Sequence, residues 1–520
     1  MLFNSYEFIF LFLPLTLLVF HWTGRQGHHR MAIAWLVGAS LFFYGWWNPA
    51  YLGLILFSIL LNYGVGVSLG DVPNSSRKKP LLILGITVNL GLLGYYKYAN
   101  FFIENFNLLA GADIFLHEIV LPLAISFFTF QQITYLIDSY KGITKDHDFI
   151  HYCLFVTFFP QLIAGPIVHH KEMLPQFLKK ENMGLKVNNI SIGLTIFLIG
   201  LFKKVVIADS MGALATPIFN LAEQGVEITI LEAWGAALAY SLQLYFDFSG
   251  YSDMAIGLAR MFNIKLPVNF FSPYKSKNII EFWRRWHITL SNFLRDYIYI
   301  PLGGSRSVKI KQLSNLLITM LIGGLWHGAG WTFIIWGGMH GLFLITNHLW
   351  VNWKERVVPS QYLDKTITKL IAWFITILAL ILSWVIFRAE TLNGAMTMYS
   401  AMFGFNGLSL PNSISTLAPA LLSIFPDANI MTNGVGVFSE GSNDAKIVIA
   451  CIIVLFFPNT LEWMYINKPA LNMGYFFKKK YNYKLSHWEQ SVKHARLMAI
   501  IAMIAILSLG DASEFLYFQF

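Results

Sequence analysis

Apolar runs separated by short polar segments extend along the chain from its first residues to its last. A helix needs about 20 mostly apolar residues to cross a bilayer. The pattern therefore predicts an all-α polytopic membrane protein with about eleven transmembrane helices and short re-entrant or interfacial helices. One apolar stretch, 150–168, is interpreted as re-entrant because its prolines interrupt a helix. The predicted spans lie near 5–21, 31–47, 50–69, 80–97, 115–137, 190–208, 229–260, 312–326, 331–350, 369–387, 447–465 and 495–510.

The composition agrees with a membrane protein and excludes several soluble classes. Hydrophobic residues make up 56% of the chain and charged residues only 12%, whereas soluble domains carry roughly 25% charged residues. These values exclude a disordered chain, a nucleic-acid-binding domain and an ordinary soluble enzyme. The net charge of +9 arises from Lys and Arg in short loops, so we expect no nucleic-acid partner.

The spacing of cysteines and histidines predicts no metal site. Cys153 and Cys451 lie in or beside apolar stretches, so the sequence offers neither a disulfide framework nor a zinc ribbon. The sequence also lacks a His-Glu-x-x-His motif, a phosphate-binding loop and a nucleophile elbow. We therefore predict no metal and no bound cofactor.

Basic residues predict the orientation of the chain, because cytoplasmic loops are enriched in Lys and Arg. Such residues follow the first and third predicted spans, and 466–494 is rich in lysine, whereas 391–445 contains neither Lys nor Arg. We predict that 466–494 is cytoplasmic, and that 391–445, the aromatic tail 511–520 and both termini are extracytoplasmic. No internal repeat is apparent, so 1–520 is interpreted as a single membrane domain.

An ionisable side chain inside a membrane segment is costly, so it marks a functional candidate. One such cluster contains His287 together with Arg284, Arg285 and Arg295, on a segment whose apolar positions repeat with helical spacing. Two interpretations of these arginines stay open. They contact a substrate, or they belong to an interfacial helix and extend towards lipid headgroups.

Two further groups of candidates lie elsewhere in the chain. His327 follows Trp326 and is flanked by glycines, which allow a backbone or a substrate to approach closely. His340 is interpreted either as a helix-packing residue or as a support for the site, and Trp326 is a further candidate support. Asp247 and Asp253 are six residues apart and do not share a helical face. We therefore expect each aspartate to orient a histidine or pair with an arginine, and not to form an acid–base pair.

These segments resemble the membrane-bound O-acyltransferase family, and in particular its bacterial polysaccharide branch. The resemblance covers most of the chain and is specific because several motifs occur together. They are Tyr-Phe-Asp-Phe-Ser-Gly-Tyr-Ser-Asp-Met-Ala at 245–255, Trp-Arg-Arg-Trp-His at 283–287, Leu-Arg-Asp-Tyr at 294–297 and Leu-Trp-His-Gly at 325–328.

The resemblance implies that acetyl-CoA serves as the acyl donor and that the acetyl group crosses the inner membrane of a bacterium through a central tunnel. The acceptor would be an exported or cell-envelope polysaccharide such as alginate, peptidoglycan or cellulose. His327 would be the central catalytic residue and His287 the second active-site histidine. A neutral imidazole suits this chemistry, because it can take the proton of an attacking hydroxyl. Arg284, Arg285 and Arg295 are candidate contacts for CoA.

The C-terminal aromatic segment carries a separate hypothesis. It resembles the aromatic ending of bacterial acyltransferase systems in which a tyrosine is thought to carry the acyl group. Tyr517 would then accept acetyl and pass it to an extracytoplasmic esterase-like partner protein. Aromatic residues also commonly anchor a chain at the membrane interface, and that interpretation stays open.

Two other classes of function compete with the enzyme. A transporter or export channel would also explain broken helices and buried polar residues, but such proteins commonly show paired repeats. A scaffold that anchors a soluble transferase would leave His327 and His287 without a role. The motifs favour a membrane O-acetyltransferase that uses a histidine general base.

Overall fold

The computed structural model describes residues 1–71, 76–117, 119–144, 148–357, 365–409, 430–431, 441–477, 487–510 and 516. Within these ranges the regular structure is helical, apart from a parallel pair of two-residue strands, β1 (Leu408–Ser409) and β2 (Ile430–Met431). The prediction of an all-α protein is confirmed.

The helices follow one another through the whole chain and are separated by short connections. The α-helices are α1 (Leu13–Arg25), α2 (His29–Gly45), α3 (Ala50–Asp71), α4 (Lys78–Leu93), α5 (Ala99–Ala110), α6 (Ile125–Tyr140), α7 (Phe149–Thr157), α8 (Phe159–Leu162), α9 (His170–Phe177), α10 (Val187–Phe202), α11 (Asp209–Glu223), α12 (Ile230–Met261), α13 (Ile279–Trp283), α14 (Ile288–Leu294), α15 (Lys309–His327), α16 (Trp331–Val357), α17 (Thr366–Arg388), α18 (Leu392–Met402), α19 (Gly441–Phe456), α20 (Thr460–Trp463), α21 (Gly474–Phe477) and α22 (Val492–Leu507). Wider π-helical turns occupy Phe8–Phe12, Gly94–Tyr98, Lys203–Ala208 and Arg295–Tyr299, and 3-10 turns occupy Lys180–Asn182, Pro273–Lys275, Gly304–Arg306 and Tyr465–Asn467.

By length and composition, five helical stretches of the described chain can cross a membrane. The other predicted spans lie on helices that are shorter or less apolar, so the total of about eleven stays a prediction. Together with the helical fold, these stretches show a multi-pass membrane protein. They are Phe8–Arg25, Ala50–Gly70, Lys78–Ala110, Val187–Glu223 and Thr366–Arg388.

The structure corrects two of the predicted spans and interrupts a third segment. The helix predicted over 115–137 begins only at Ile125, after a turn at Pro122 and a left-handed Ala124. The span predicted over 447–465 ends at Phe456, because a proline follows at position 458. Residues 150–168 are broken between α7 and α8, as their prolines predict, but whether the segment is re-entrant stays a prediction.

The chain forms two compact units, and each of them is built from separated segments. The extracytoplasmic side assigned to 391–445 and the description as a single domain both stay predictions, and most of 410–440 lies outside the described residues. The first unit comprises Met1–Phe202, Gly250–Asn269 and Thr460–Gln519, and the second comprises Lys203–Ser249 and Phe270–Asn459.

In the first unit, a reciprocal pair of amides links two helices inside the apolar packing. Asn62 on α3 donates to the side-chain oxygen of Asn89 on α4 at 3.2 Å, and Asn89 donates back at 2.6 Å. Both side chains are buried. Because a bilayer offers no water to replace these bonds, such amides hold membrane helices together.

In the second unit, helices α15 and α16 form a hairpin whose backbones approach closely. Glycines make this approach possible: a methyl group on Gly324 would overlap the carbonyl oxygen of Phe333, and one on Gly337 would overlap that of Met320. The close crossing fixes the end of α15, where His327 lies.

We expect Gly337→Ala to lower the thermal unfolding temperature of the purified protein, because overpacking costs about 1–3 kcal/mol. The matched control is Gly338→Ala on the same helix, since its new methyl group would meet its nearest atom, Leu321 Cδ2, at an ordinary 3.5 Å. Equal unfolding temperatures for both variants would contradict the close crossing.

Candidate active site

His327 is the last residue of α15 and lies within an aromatic shell. The chain leaves the helix at Gly328 in an extended conformation, with φ −158° and ψ 152°. The imidazole ring is 5.1 Å from the Trp336 ring and 5.3 Å from the Phe387 ring, measured between centroids. Only 7% of the residue is exposed. The site therefore keeps this histidine away from bulk water.

His287 lies in the break between α13 and α14, with a left-handed backbone at φ 42° and ψ 53°. Such a conformation is uncommon for a residue other than glycine and is frequent at functional sites. The break is held in place because the amide of Phe271 donates to the carbonyl of Arg285 at 2.9 Å. Phe248 packs edge-on against the imidazole at 4.7 Å, and the residue is 1% exposed.

The structure brings the two histidines together although they are forty residues apart in sequence. The ring centroids of His287 and His327 are 6.4 Å apart. Neither ring nitrogen of His287 has a hydrogen-bond partner among the described residues. A buried polar atom without a partner costs about 1–3 kcal/mol. A bound substrate is the natural partner for such a group.

His340 differs from these two histidines because both of its ring nitrogens are occupied. The indole N–H of Trp283 donates to Nδ1 at 3.2 Å. Ser383 Oγ donates its own proton to the carbonyl of Leu380 at 2.8 Å, so Nε2–H of His340 is the donor to Ser383 at 3.0 Å. This arrangement requires the neutral Nε2–H tautomer. His340 therefore holds α13, α16 and α17 in place and is not available as a base.

The three candidate arginines have different environments. Arg285 pairs with Glu281 at 2.8 Å and also donates to the carbonyl of Phe271 at 3.3 Å, so it stabilises the break before His287. Arg295 pairs with the neighbouring Asp296 at 2.7 Å, and Arg284 is exposed. Contacts of these arginines to CoA stay a prediction.

The two candidate aspartates have separate partners. Asp247 pairs with the buried Lys204 at 2.7 Å, and Lys204 also reaches Asp209 at 2.9 Å. Asp253 accepts a hydrogen bond from the hydroxyl of Thr460 at 2.6 Å. The partner of Asp247 is thus a lysine, where the sequence suggested an arginine or a histidine. A lysine inside the predicted span 190–208 was the signal that could have identified it.

Two predicted features have no structural description. Tyr517 lies outside the described residues, as does all of the tail 511–520 except Leu516. Within the described part of the chain, no three His, Cys, Asp or Glu side chains form a group that could hold a metal ion. The candidate site consists of the buried pair His287 and His327 and the aromatic side chains around them.

The fold and the site define the class of protein: it is a helical, multi-pass membrane protein with a buried pair of histidines. The family profile of membrane-bound O-acyltransferases matches residues 110–386, a range that contains both histidines. The chain belongs to the membrane-bound O-acyltransferase family, and the predicted enzyme class, an O-acyltransferase, is confirmed.

Two curated relatives resemble the chain over most or all of its length, and a third resembles about half of it. It is 43% identical to the peptidoglycan O-acetyltransferase of Helicobacter pylori, with 92% of this chain and 95% of the relative covered. It is 39% identical to a probable alginate O-acetylase of Pseudomonas putida, with the full length of both proteins covered. A teichoic acid D-alanyltransferase of Streptococcus thermophilus is 29% identical, over 51% of this chain and 68% of the relative.

We expect Lys204→Met to destabilise the protein by ~3–5 kcal/mol, because it leaves two carboxylates without their shared buried counter-charge. The double variant Lys204→Met, Asp247→Leu should recover much of this loss. Thermal unfolding of the purified variants in detergent measures both effects. A double variant no more stable than the single one would argue against the pairing.

We expect His340→Phe to destabilise the protein by ~1–3 kcal/mol, because the Trp283 indole N–H loses its acceptor. Trp283→Phe should have a similar effect, and the double variant should lose less than the sum of the two, since both single changes remove the same hydrogen bond between Trp283 and His340. Unfolding temperatures of the three variants measure this coupling. Strictly additive losses would show that the bond contributes nothing.

Proposed function

We propose that this protein moves an acetyl group from cytoplasmic acetyl-CoA across the membrane for O-acetylation of an exported or cell-envelope polysaccharide. The proposal is carried by the buried pair His287 and His327, whose rings lie 6.4 Å apart in a shell of aromatic side chains. The names of the full-length relatives support acetyl as the acyl group and an envelope polymer such as peptidoglycan or alginate as the acceptor.

In the proposed reaction, His327 acts as the general base. A hydroxyl group attacks the thioester carbonyl while its proton passes to the neutral imidazole, which raises the nucleophilicity of the oxygen. Collapse of the tetrahedral intermediate breaks the carbon–sulfur bond. The thiolate of CoA leaves and takes the proton back from His327, so an ester and free CoA are formed.

His287 is proposed to stabilise the negative charge that develops on the carbonyl oxygen. Its buried ring has no competing partner among the residues that the structure describes, so an Nε2–H or Nδ1–H group can donate to that oxygen. The surrounding aromatic rings exclude water, which strengthens this hydrogen bond and slows hydrolysis of the thioester.

The identity of the attacking hydroxyl forms a separate part of the proposal. We propose that Tyr517, at the extracytoplasmic C-terminus, accepts acetyl and that an esterase-like partner passes it to the polysaccharide at the outer face of the inner membrane. Mass spectrometry of C-terminal peptides from acetyl-CoA-fed membranes tests this step. A Tyr517 that stays unmodified in an active system would exclude it.

We expect His327→Ala to lower acetyl-CoA turnover by the purified protein by roughly 10²–10⁴-fold, the usual contribution of a general base. Release of CoA, measured in detergent, reports this activity. His287→Ala should also lower turnover, and thermal unfolding shows whether each variant stays folded. The matched control is His348→Ala, a partly buried histidine further along α16.

The outcomes of this experiment separate the competing functions. Unchanged turnover in folded His327→Ala would assign the base to another residue, with His287 the first alternative. Transport of a polysaccharide that survives loss of both histidines, without acetyl-CoA turnover, would favour the export channel.

A further inference from the structure

A buried arginine at the end of α12 has no counter-charge among the residues that the structure describes. Arg260, in the first unit, is 9% exposed, and its buried Nε atom has no hydrogen-bond partner among the described residues. Burying a guanidinium without a partner is costly. The carboxyl end of the helix dipole favours a cation, but it supplies only about half an elementary charge. Another anion is needed to balance this side chain.

Two lysines increase the positive charge at this place. Burial of Lys265 lowers the pKa of its amine, and repulsion from Arg260 and Lys468 lowers that pKa further. Glu172, which accepts from Asn472 at 3.4 Å, forms no ion pair with these cations among the described contacts. Three positive charges therefore lie close together, and no ion pair compensates them among the described residues.

The loop that carries Lys265 is rigidly held. Asn263 adopts a left-handed conformation with φ 63°, and its amide donates to the carbonyls of Asn182 and Gly184, each at 2.8 Å. The amide of Gln176 contacts the backbone of Lys265 twice, donating to its carbonyl at 3.0 Å and accepting from its N–H at 2.9 Å. These bonds fix the position of the loop before any ligand arrives.

The segment that carries Lys468 is tied to the same loop. The amide of Leu471 donates to the carbonyl of Leu266 at 2.8 Å, and Pro267 forms an isolated parallel bridge with Leu471. Lys468 itself is exposed at the end of a 3-10 turn. The cluster thus has one buried guanidinium and two amines on connected segments, which is a suitable arrangement for an anion with several oxygens.

We propose that Arg260, Lys265 and Lys468 bind a phosphate group. A phosphate presents oxygens in the geometry that a guanidinium contacts through two parallel hydrogen bonds. Two sources share this chemistry: the phosphates of CoA, and the headgroup of an anionic lipid. The first source rests on the function proposed above, and it agrees with the predicted cytoplasmic location of 466–494, where acetyl-CoA is available.

The test measures binding of CoA and of dephospho-CoA to the purified full-length protein by calorimetry, so that no turnover is needed. Arg260→Gln should weaken CoA binding by roughly ten- to a hundredfold, the usual effect of losing hydrogen bonds to a charged group. Lys468→Gln, which changes only an exposed side chain, should weaken it by about two- to fivefold. The control Lys493→Gln removes an exposed lysine of α22 and should change nothing.

Dephospho-CoA and lipid identify the source of the phosphate. A loss confined to CoA assigns the 3′-phosphate, and an equal loss for dephospho-CoA assigns the diphosphate. If the ligand is a lipid, phosphatidylglycerol nanodiscs should raise the unfolding temperature of the wild type over phosphatidylcholine nanodiscs, and Arg260→Gln and Lys468→Gln should remove that gain. Variants that match Lys493→Gln in CoA binding and in both kinds of nanodisc would overturn the site. Because binding is measured without catalysis, this result is independent of the His327 experiment.

Discussion

The structure depends on one constraint: a bilayer offers no water to polar groups, so each buried polar side chain must find its partner inside the protein. Asn62 and Asn89 satisfy each other, and Lys204 satisfies two aspartates at once. His340 is satisfied in the same way: one ring nitrogen accepts from Trp283, and the other donates to Ser383. These closed networks hold helices together and leave nothing available for chemistry.

Two buried groups that lack such a partner among the described residues point to function. His287 is almost completely buried, and its ring nitrogens have no partner in the part of the chain that the structure describes. Arg260 is buried with two further cations nearby and no carboxylate paired to it among the described residues. Leaving such groups open is costly, and a bound ligand would offset that cost. The first of these groups lies in the proposed reacting centre, and the second in the proposed phosphate site.

Sequence patterns predicted most of the helices, because the length of an apolar run is a local property. The predicted helix boundaries were wrong where an apolar run continues through a turn. Before Ile125, for example, apolar residues pass through a proline turn that hydropathy alone does not reveal. The candidate site was also largely visible, since His287 and His327 stand out as ionisable residues in apolar surroundings. Lys204 was overlooked although the same argument applies to it.

The class of protein, the apolar segments and the motifs that mark the acyltransferase family could be read from the amino-acid sequence, because all of these depend on neighbouring residues. Which of the three candidate histidines lie side by side was visible only in the folded protein. His287 and His327 meet because glycines let α15 and α16 cross closely and because a left-handed turn redirects the chain at His287. Two hydrogen bonds to residues far away in sequence occupy both ring nitrogens of His340, so this histidine is not available as a base. Contacts of this kind follow from packing between distant segments, which no local pattern contains.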